Sequence, residues 1–132
     1  AVSRHHSACR RKTMRLSDLA TMPLISFTKG SRIRQVIDDR FEQAGVAPQI
    51  AMEVENEEAI ERMIEIGFGA GFLARRRATT DKIHYLKLSD GPILLHIAAV
   101  HLGAYVPKRT REFLQMCSKH AAAPPNRVRA KR

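Results

Sequence analysis

Along QIAMEV, residues Ile50, Met52 and Val54 alternate as a half-buried strand does, and then the period changes, with Ile60, Met63 and Ile64 recurring at helical spacing. Asn56 stands where that helix begins. It is a good N-cap, and Glu57 and Glu58 follow in the first turn, where carboxylates favour the positive end of the helix dipole. Gly67 ends the helix. Gly69 and Gly71 bracket the apolar run Ala70–Leu73, which is too short for a helix and reads as a buried strand. Strand, crossover helix and strand on this scale form a βαβ unit, which is right-handed and parallel by chain geometry.

The same order recurs upstream. Pro23 opens the buried-strand run PLISF, and Ser31 can cap a helix whose Ile33, Val36, Ile37, Phe41 and Ala44 form one apolar face. Arg32, Arg34, Asp38, Asp39 and Glu42 are expected largely in water, and Gly45 ends the helix. Before this unit, Leu16–Met22 reads as a helical turn that Ser17 can cap. After it, Ile83–Leu88 and Leu94–Leu102 are strand candidates separated by the turn SDGP, and Pro107 precedes a last helix to about His120 with Phe113, Leu114 and Cys117 on its apolar side. Strands alternating with helices give an α/β fold with a parallel sheet.

Composition narrows the function classes. At 132 residues and 44% hydrophobic content the chain suits one domain with a modest core. Cys9 and Cys117 lie far apart with no CxxC, which suits free thiols and a reducing, cytoplasmic setting. No apolar run approaches membrane-spanning length. The net charge of +10 is concentrated at the ends. Residues 1–15 hold Arg4, Arg10, Arg11, Lys12 and Arg15 without an acid, and residues 121–132 hold Arg127, Arg129, Lys131 and Arg132, again without one. Between them, 14 basic residues face all 13 acidic ones, so the body is nearly neutral and unlike a DNA-binding surface. Both ends are expected to be disordered basic tails.

Candidate chemistry is sparse. His5, His6 and Cys9 on a flexible arm lack a fourth ligand, so no metal is expected. His96 and His101 lie five apart on one predicted strand and point to opposite faces. Arg75, Arg76 and Arg77 read as a solvated face. No HExxH, Walker loop or GxSxG pattern occurs, and GFGAG follows a helix and enters a strand, the reverse of a dinucleotide fingerprint. The expectation is no enzyme and no cofactor. Binding is the remaining reading, because ligands of parallel α/β sheets collect at the carboxyl ends of strands, beside helix N-termini. One such end holds Ser26, Phe27, Thr28, Lys29, Gly30 and Ser31, and the other holds Glu55 and Asn56. Against this stands the plainer role of Ser31 and Asn56 as helix caps.

Taken together, LSDLATMPLISFTKGSRIRQVIDDRFEQAG, EVENEEAIERMIEIGFGAGFL and the later PKRTREFLQMC resemble the C-terminal part of the effector (substrate)-binding domain of LysR-type transcriptional regulators, over Leu16 to about His120. That resemblance implies a periplasmic-binding-protein-like fold, here incomplete. Residues 16–88 would be most of the second subdomain, and 89–120 a strand and helix returning to the first. It further implies a small, anionic metabolite held between subdomains, with Ser26, Thr28, Lys29, Glu55, Asn56 and Phe68 toward the cleft. A homo-oligomer is implied too, with DNA reached only through a helix-turn-helix absent from this stretch. Ala74 and three arginines stand where family members commonly carry proline, and the basic ends match nothing in the family. The competing readings are a small basic nucleic-acid-binding protein acting through its tails, and a truncated remnant without function.

Overall fold

The computed structural model describes residues 1–74, 80–96, 98 and 106–120. They fall into two units, 1–95 and 96–132. In the first, the elements are β1 (Val2–Ser3), a 3-10 turn at Ser7–Arg10, β2 (Thr13–Met14), α1 (Leu16–Ala20), β3 (Leu24–Phe27), α2 (Arg32–Gln43), β4 (Ile50–Val54), α3 (Glu57–Glu65), β5 (Ala70–Gly71), β6 (Ile83–His84) and β7 (Lys87–Leu88).

The organising sheet is parallel, with strand order β4–β3–β5. All four residues of β3 are buried, as a central strand covered on both faces requires. The chain moves from β3 to its neighbour β4 through α2, then reverses and crosses back over β3 through α3 to reach β5. Right-handed crossovers in opposite directions put their helices on opposite faces. The packing agrees: a Cβ on Gly71 would meet Ile60 and Ile64 of α3, whereas the next residue, Phe72, meets Phe41 of α2 edge-on at 6.0 Å. The core follows from this arrangement. Leu24 and Ile25 of β3, Ile37 and Phe41 of α2, and Ile60 and Ile64 of α3 are all essentially inaccessible.

Local signals set the helix ends. Ser31 accepts the Arg34 N–H, Asn56 accepts the Ala59 N–H at 2.8 Å, and glycines with φ of 67° and 81° follow α2 and α3. Ser17 does not cap α1. The N-cap is Arg15, without a side-chain bond, and the free N–H of Leu16 donates instead to the Asp90 carboxylate at 2.6 Å.

Residues 1–15 correct the expectation of a disordered tail. Val2, Ser3, Ala8 and Met14 are buried, β1 pairs antiparallel with β6, and β2 pairs in parallel with β7. Ala1 and Gly71 exchange both backbone bonds, at 2.7 and 3.0 Å, which attaches β1 to the free edge of β5. His6 caps the 3-10 turn, its Nδ1 accepting the Ala8 N–H.

The predicted strand Ile83–Leu88 divides into β6 and β7, which pair with different partners. Leu94, Leu95 and His96 carry no strand, and the rest of the predicted run Leu94–Leu102 lies largely outside the described residues, as do Arg75–Arg77, His101 and 121–132. In the second unit, α4 (Lys108–His120) begins after Pro107. Of its expected apolar side, Leu114 is half-buried, while Phe113 and Cys117 are exposed. No helix among the described residues is long and apolar enough to cross a membrane.

Candidate ligand-binding site

Where the order of an α/β sheet reverses, the loops leaving two adjacent strands part to opposite faces and leave a crevice at their carboxyl ends. Here those strands are β3 and β4. Thr28 and Lys29 leave β3 for α2, and Glu55 and Asn56 leave β4 for α3. The two exits touch through the Thr28 N–H, which donates to Val54 O at 3.0 Å. Residues 27 positions apart are thereby brought side by side, and the N-termini of two helices open on one edge.

Four of the six candidate residues gather there: Thr28, half-buried, with Lys29, Glu55 and Asn56, all exposed. Ser26 lies deeper. It is 1% exposed, and its Oγ is buried without a hydrogen-bond partner. Phe68 is elsewhere. It precedes β5, whose Ala70 pairs with Leu24 at the start of β3, so Phe68 sits at the amino end of the sheet. The family resemblance implies a place toward the cleft, but register decides the end of the sheet a residue reaches. The residues that do follow β5 are Phe72 to Ala74, and the Ala74 N–H donates to the Glu57 carboxylate at 2.6 Å.

Arg34, expected in water, is the charged residue buried at this edge, with 5% exposure. Its Nε donates to both oxygens of Asp38 at 2.8 and 2.9 Å, and its Nη1 to Phe27 O and to Glu53 Oε1, each at 2.8 Å. Burial alone would lower the Arg34 pKa, but hydrogen bonds to Glu53 and Asp38 and their negative charges outweigh it and raise it. Glu53 is held below the usual carboxylate range, chiefly by the hydrogen bond from Arg34, against its own desolvation; the Lys29 N–H adds to it from 3.4 Å. The signal for Arg34 was available: it stands at i, i+3 and i+7 with Ile37 and Phe41, on the buried face of α2.

The two helix ends differ in charge. The first turn of α3 carries Glu57 and Glu58, while that of α2 has no acid and is flanked by Lys29 and Arg32. The α2 end is thus the less acidic of the two. Among the described residues, no group of three His, Cys, Asp or Glu could hold a metal ion. A separate cavity of about 500 Å³ opens beside β5, lined mainly by apolar residues including Met14, Leu19, Phe72 and Leu88, and it does not involve the strand-end residues.

The parallel α/β sheet, with a crevice at its switch point, belongs to a fold of the periplasmic-binding-protein-like type. Residues 1–122 match the LysR substrate binding domain, and the chain belongs to that family. The match reaches the first residue, so the N-terminal basic stretch is part of the family's domain. One relative is the HTH-type transcriptional regulator cbl of Klebsiella aerogenes, 24% identical over 121 residues, which are 89% of this chain and 38% of that protein. The chain thus spans well under half of that relative. HinK, a LysR family transcriptional regulator from Pseudomonas aeruginosa, shares the fold with a TM-score of 0.75 at 24% identity, covering 89% of this chain and 42% of that one. The effector binding domain of QuiR in complex with shikimate superposes with a TM-score of 0.68 at 18% identity, over 90% and 60% of the two chains.

Proposed function

We propose that this chain is the effector-sensing part of a LysR-type transcriptional regulator and binds a small anionic metabolite at the carboxyl ends of β3 and β4. The observation that carries the reading is the reversal of strand order at β3, which brings Thr28, Lys29, Glu55 and Asn56 to one edge between two helix N-termini. The anionic preference rests on Lys29 and Arg32 beside the acid-free first turn of α2. Ser26 supports the site from beneath, and Phe68 has no part in it. In the regulator, ligand binding would act on a homo-oligomer in the cytoplasm, and DNA would be contacted by a helix-turn-helix segment such as the one the relatives are named for.

The test is an NMR titration of the ¹⁵N-labelled chain with inorganic phosphate and with shikimate. Amide signals of Thr28, Lys29, Ser31, Glu55 and Asn56 are expected to move, and Lys29→Ala to weaken binding by about tenfold, the loss of one charge-assisted contact. Unmoved signals at those five residues, or a Lys29→Ala chain that binds as tightly as the parent, would reject the site.

A nucleic-acid reading through free basic tails loses its N-terminal half. Val2, Ser3, Ala8 and Met14 anchor that stretch in the core, so Arg4, Arg10, Arg11, Lys12 and Arg15 are surface residues of a folded segment.

A further inference from the structure

Arg34 is a buried cation that packing alone does not require, since an aliphatic residue would fill the same face of α2 beside Ile37 and Phe41. Its bonds have a pattern. One nitrogen, Nη1, spans the last carbonyl of β3, at Phe27, and the side chain of Glu53 on β4. The other oxygen of Glu53 accepts the Lys29 N–H. Nε is held on Asp38, one turn further along α2, which fixes the aim of the guanidinium. A single planar group thus joins α2, the end of β3 and the penultimate residue of β4. From these bonds we infer that Arg34 is a positioning residue that locks the Thr28–Gly30 exit and the Glu55–Asn56 exit into one rigid edge, so that ligand groups meet a prearranged site.

The inference rests on the ligand reading of that edge for its purpose, but not for its physics. Arg is suited to the task and Lys is not, because a fixed fork can hold several acceptors at set angles, whereas an ammonium on a flexible stem holds them singly. Glu53 is suited as the second member because it is ionised well below neutral pH and each of its two oxygens has a donor. Order in the exits then raises apparent affinity, since a site competent for only a tenth of the time binds about tenfold more weakly.

The experiment is ¹⁵N relaxation on the free full chain, with Arg34→Met, Arg34→Lys and Glu53→Ala beside the parent, followed by phosphate and shikimate titrations of each. For Arg34→Met the order parameters of Thr28, Lys29, Gly30, Glu55 and Asn56 are expected to fall from about 0.85 to below about 0.6, with Ile37, Ile60 and Ile64 unchanged. Arg34→Lys is expected to keep the fold and not restore the exits. A merely structural charge would be rescued by Lys. Should Arg34→Met fail to fold, Glu53→Ala decides, because Glu53 is a partly exposed side chain: loosening at Lys29 and Gly30 supports the lock. Exits that stay rigid in a folded Arg34→Met chain, or in Glu53→Ala where the first does not fold, overturn it. Failure of the ligand reading would look different. Neither probe would then move the exits of the parent, while the relaxation data would still show whether Arg34 holds them.

Discussion

Substituting alanine at Gly69 and Gly71 separates two reasons for placing glycine in a strand. Neither residue is among the four described glycines with positive φ, so backbone freedom is not what is needed. The requirement is space. A Cβ at Gly69 would overlap Pro23 O and lie 3.1 Å from its carbonyl carbon. That oxygen also accepts the Ala70 N–H at 2.9 Å, the bond that starts β5. Relieving the clash means moving one backbone from the other by roughly 1 Å, judged against an ordinary C···O contact of about 3.3–3.6 Å, and the hydrogen bond would stretch out of range. Leaving the N–H of the buried Ala70 unpaired costs about 1–3 kcal/mol, and overpacking costs a similar amount, so Gly69→Ala should lose about 3 kcal/mol or more. In a domain worth about 5–15 kcal/mol that is a large share.

Gly71→Ala meets a different obstacle. Its methyl would lie 2.5 Å from Ile60 Cγ2 and 3.1 Å from Ile64 Cδ1, both side-chain atoms of α3. The expected loss is about 1–3 kcal/mol, and it should be relieved by shortening the neighbour. Ile60→Ala alone should cost about 2–5 kcal/mol, but in the double variant the new methyl occupies part of the space vacated, so the two effects should fall short of additivity by about 1 kcal/mol. Urea denaturation reads all of these through the midpoint at constant m. A Gly69→Ala chain within about 0.5 kcal/mol of the parent, which is the usual range of harmless substitutions, would show that β5 does not need this approach. Strict additivity of Gly71→Ala and Ile60→Ala would refute the packing of α3 against it.

Two further outcomes are expected. Gly67, with φ of 81° and open space around its Cα, should lose about 1–2 kcal/mol on change to Ala and recover part of it with Asn, as thermal melts would show. Asn56→Ala should cost about 1 kcal/mol by releasing the Ala59 N–H, and Asn56→Asp, which keeps the acceptor, should not.

What the residues disclosed in advance was local. Ser31 and Asn56 are caps, α2 and α3 have helical periods, and β4 alternates, because each property depends on neighbours within a few positions. What they concealed depends on distant partners. Val2 and Ser3 have no pattern of their own, and they are buried because they meet His84 and Ile83, 82 and 80 positions away. A two-residue strand is specified by its partner more than by its sequence. The basic residues around that stretch conceal it further, since they line the surface of a segment whose inward residues are few. Arg34 is concealed for another reason: a charge alone points to water, although its position falls in line with Ile37 and Phe41.

The strand-end site itself stands between these cases. Its members were legible as two separate strand exits, yet their union depends on the pairing of β3 with β4, and that pairing is irregular. A register shift between Leu24 and Ile25 sets Glu53 level with Ser26 and Val54 level with Phe27. Side-chain direction alternates along a strand, so this register turns Glu53 to the face of the sheet that carries Phe72 and α2, within reach of Arg34. A slip of one residue would turn Glu53 toward α3 and leave a buried guanidinium short of one carboxylate. The bond between Arg34 and Glu53 therefore acts in both directions: the register allows it, and the cost of losing it disfavours other registers. Helix caps can be read one helix at a time, but the crevice between them exists only in the register that the buried arginine rewards.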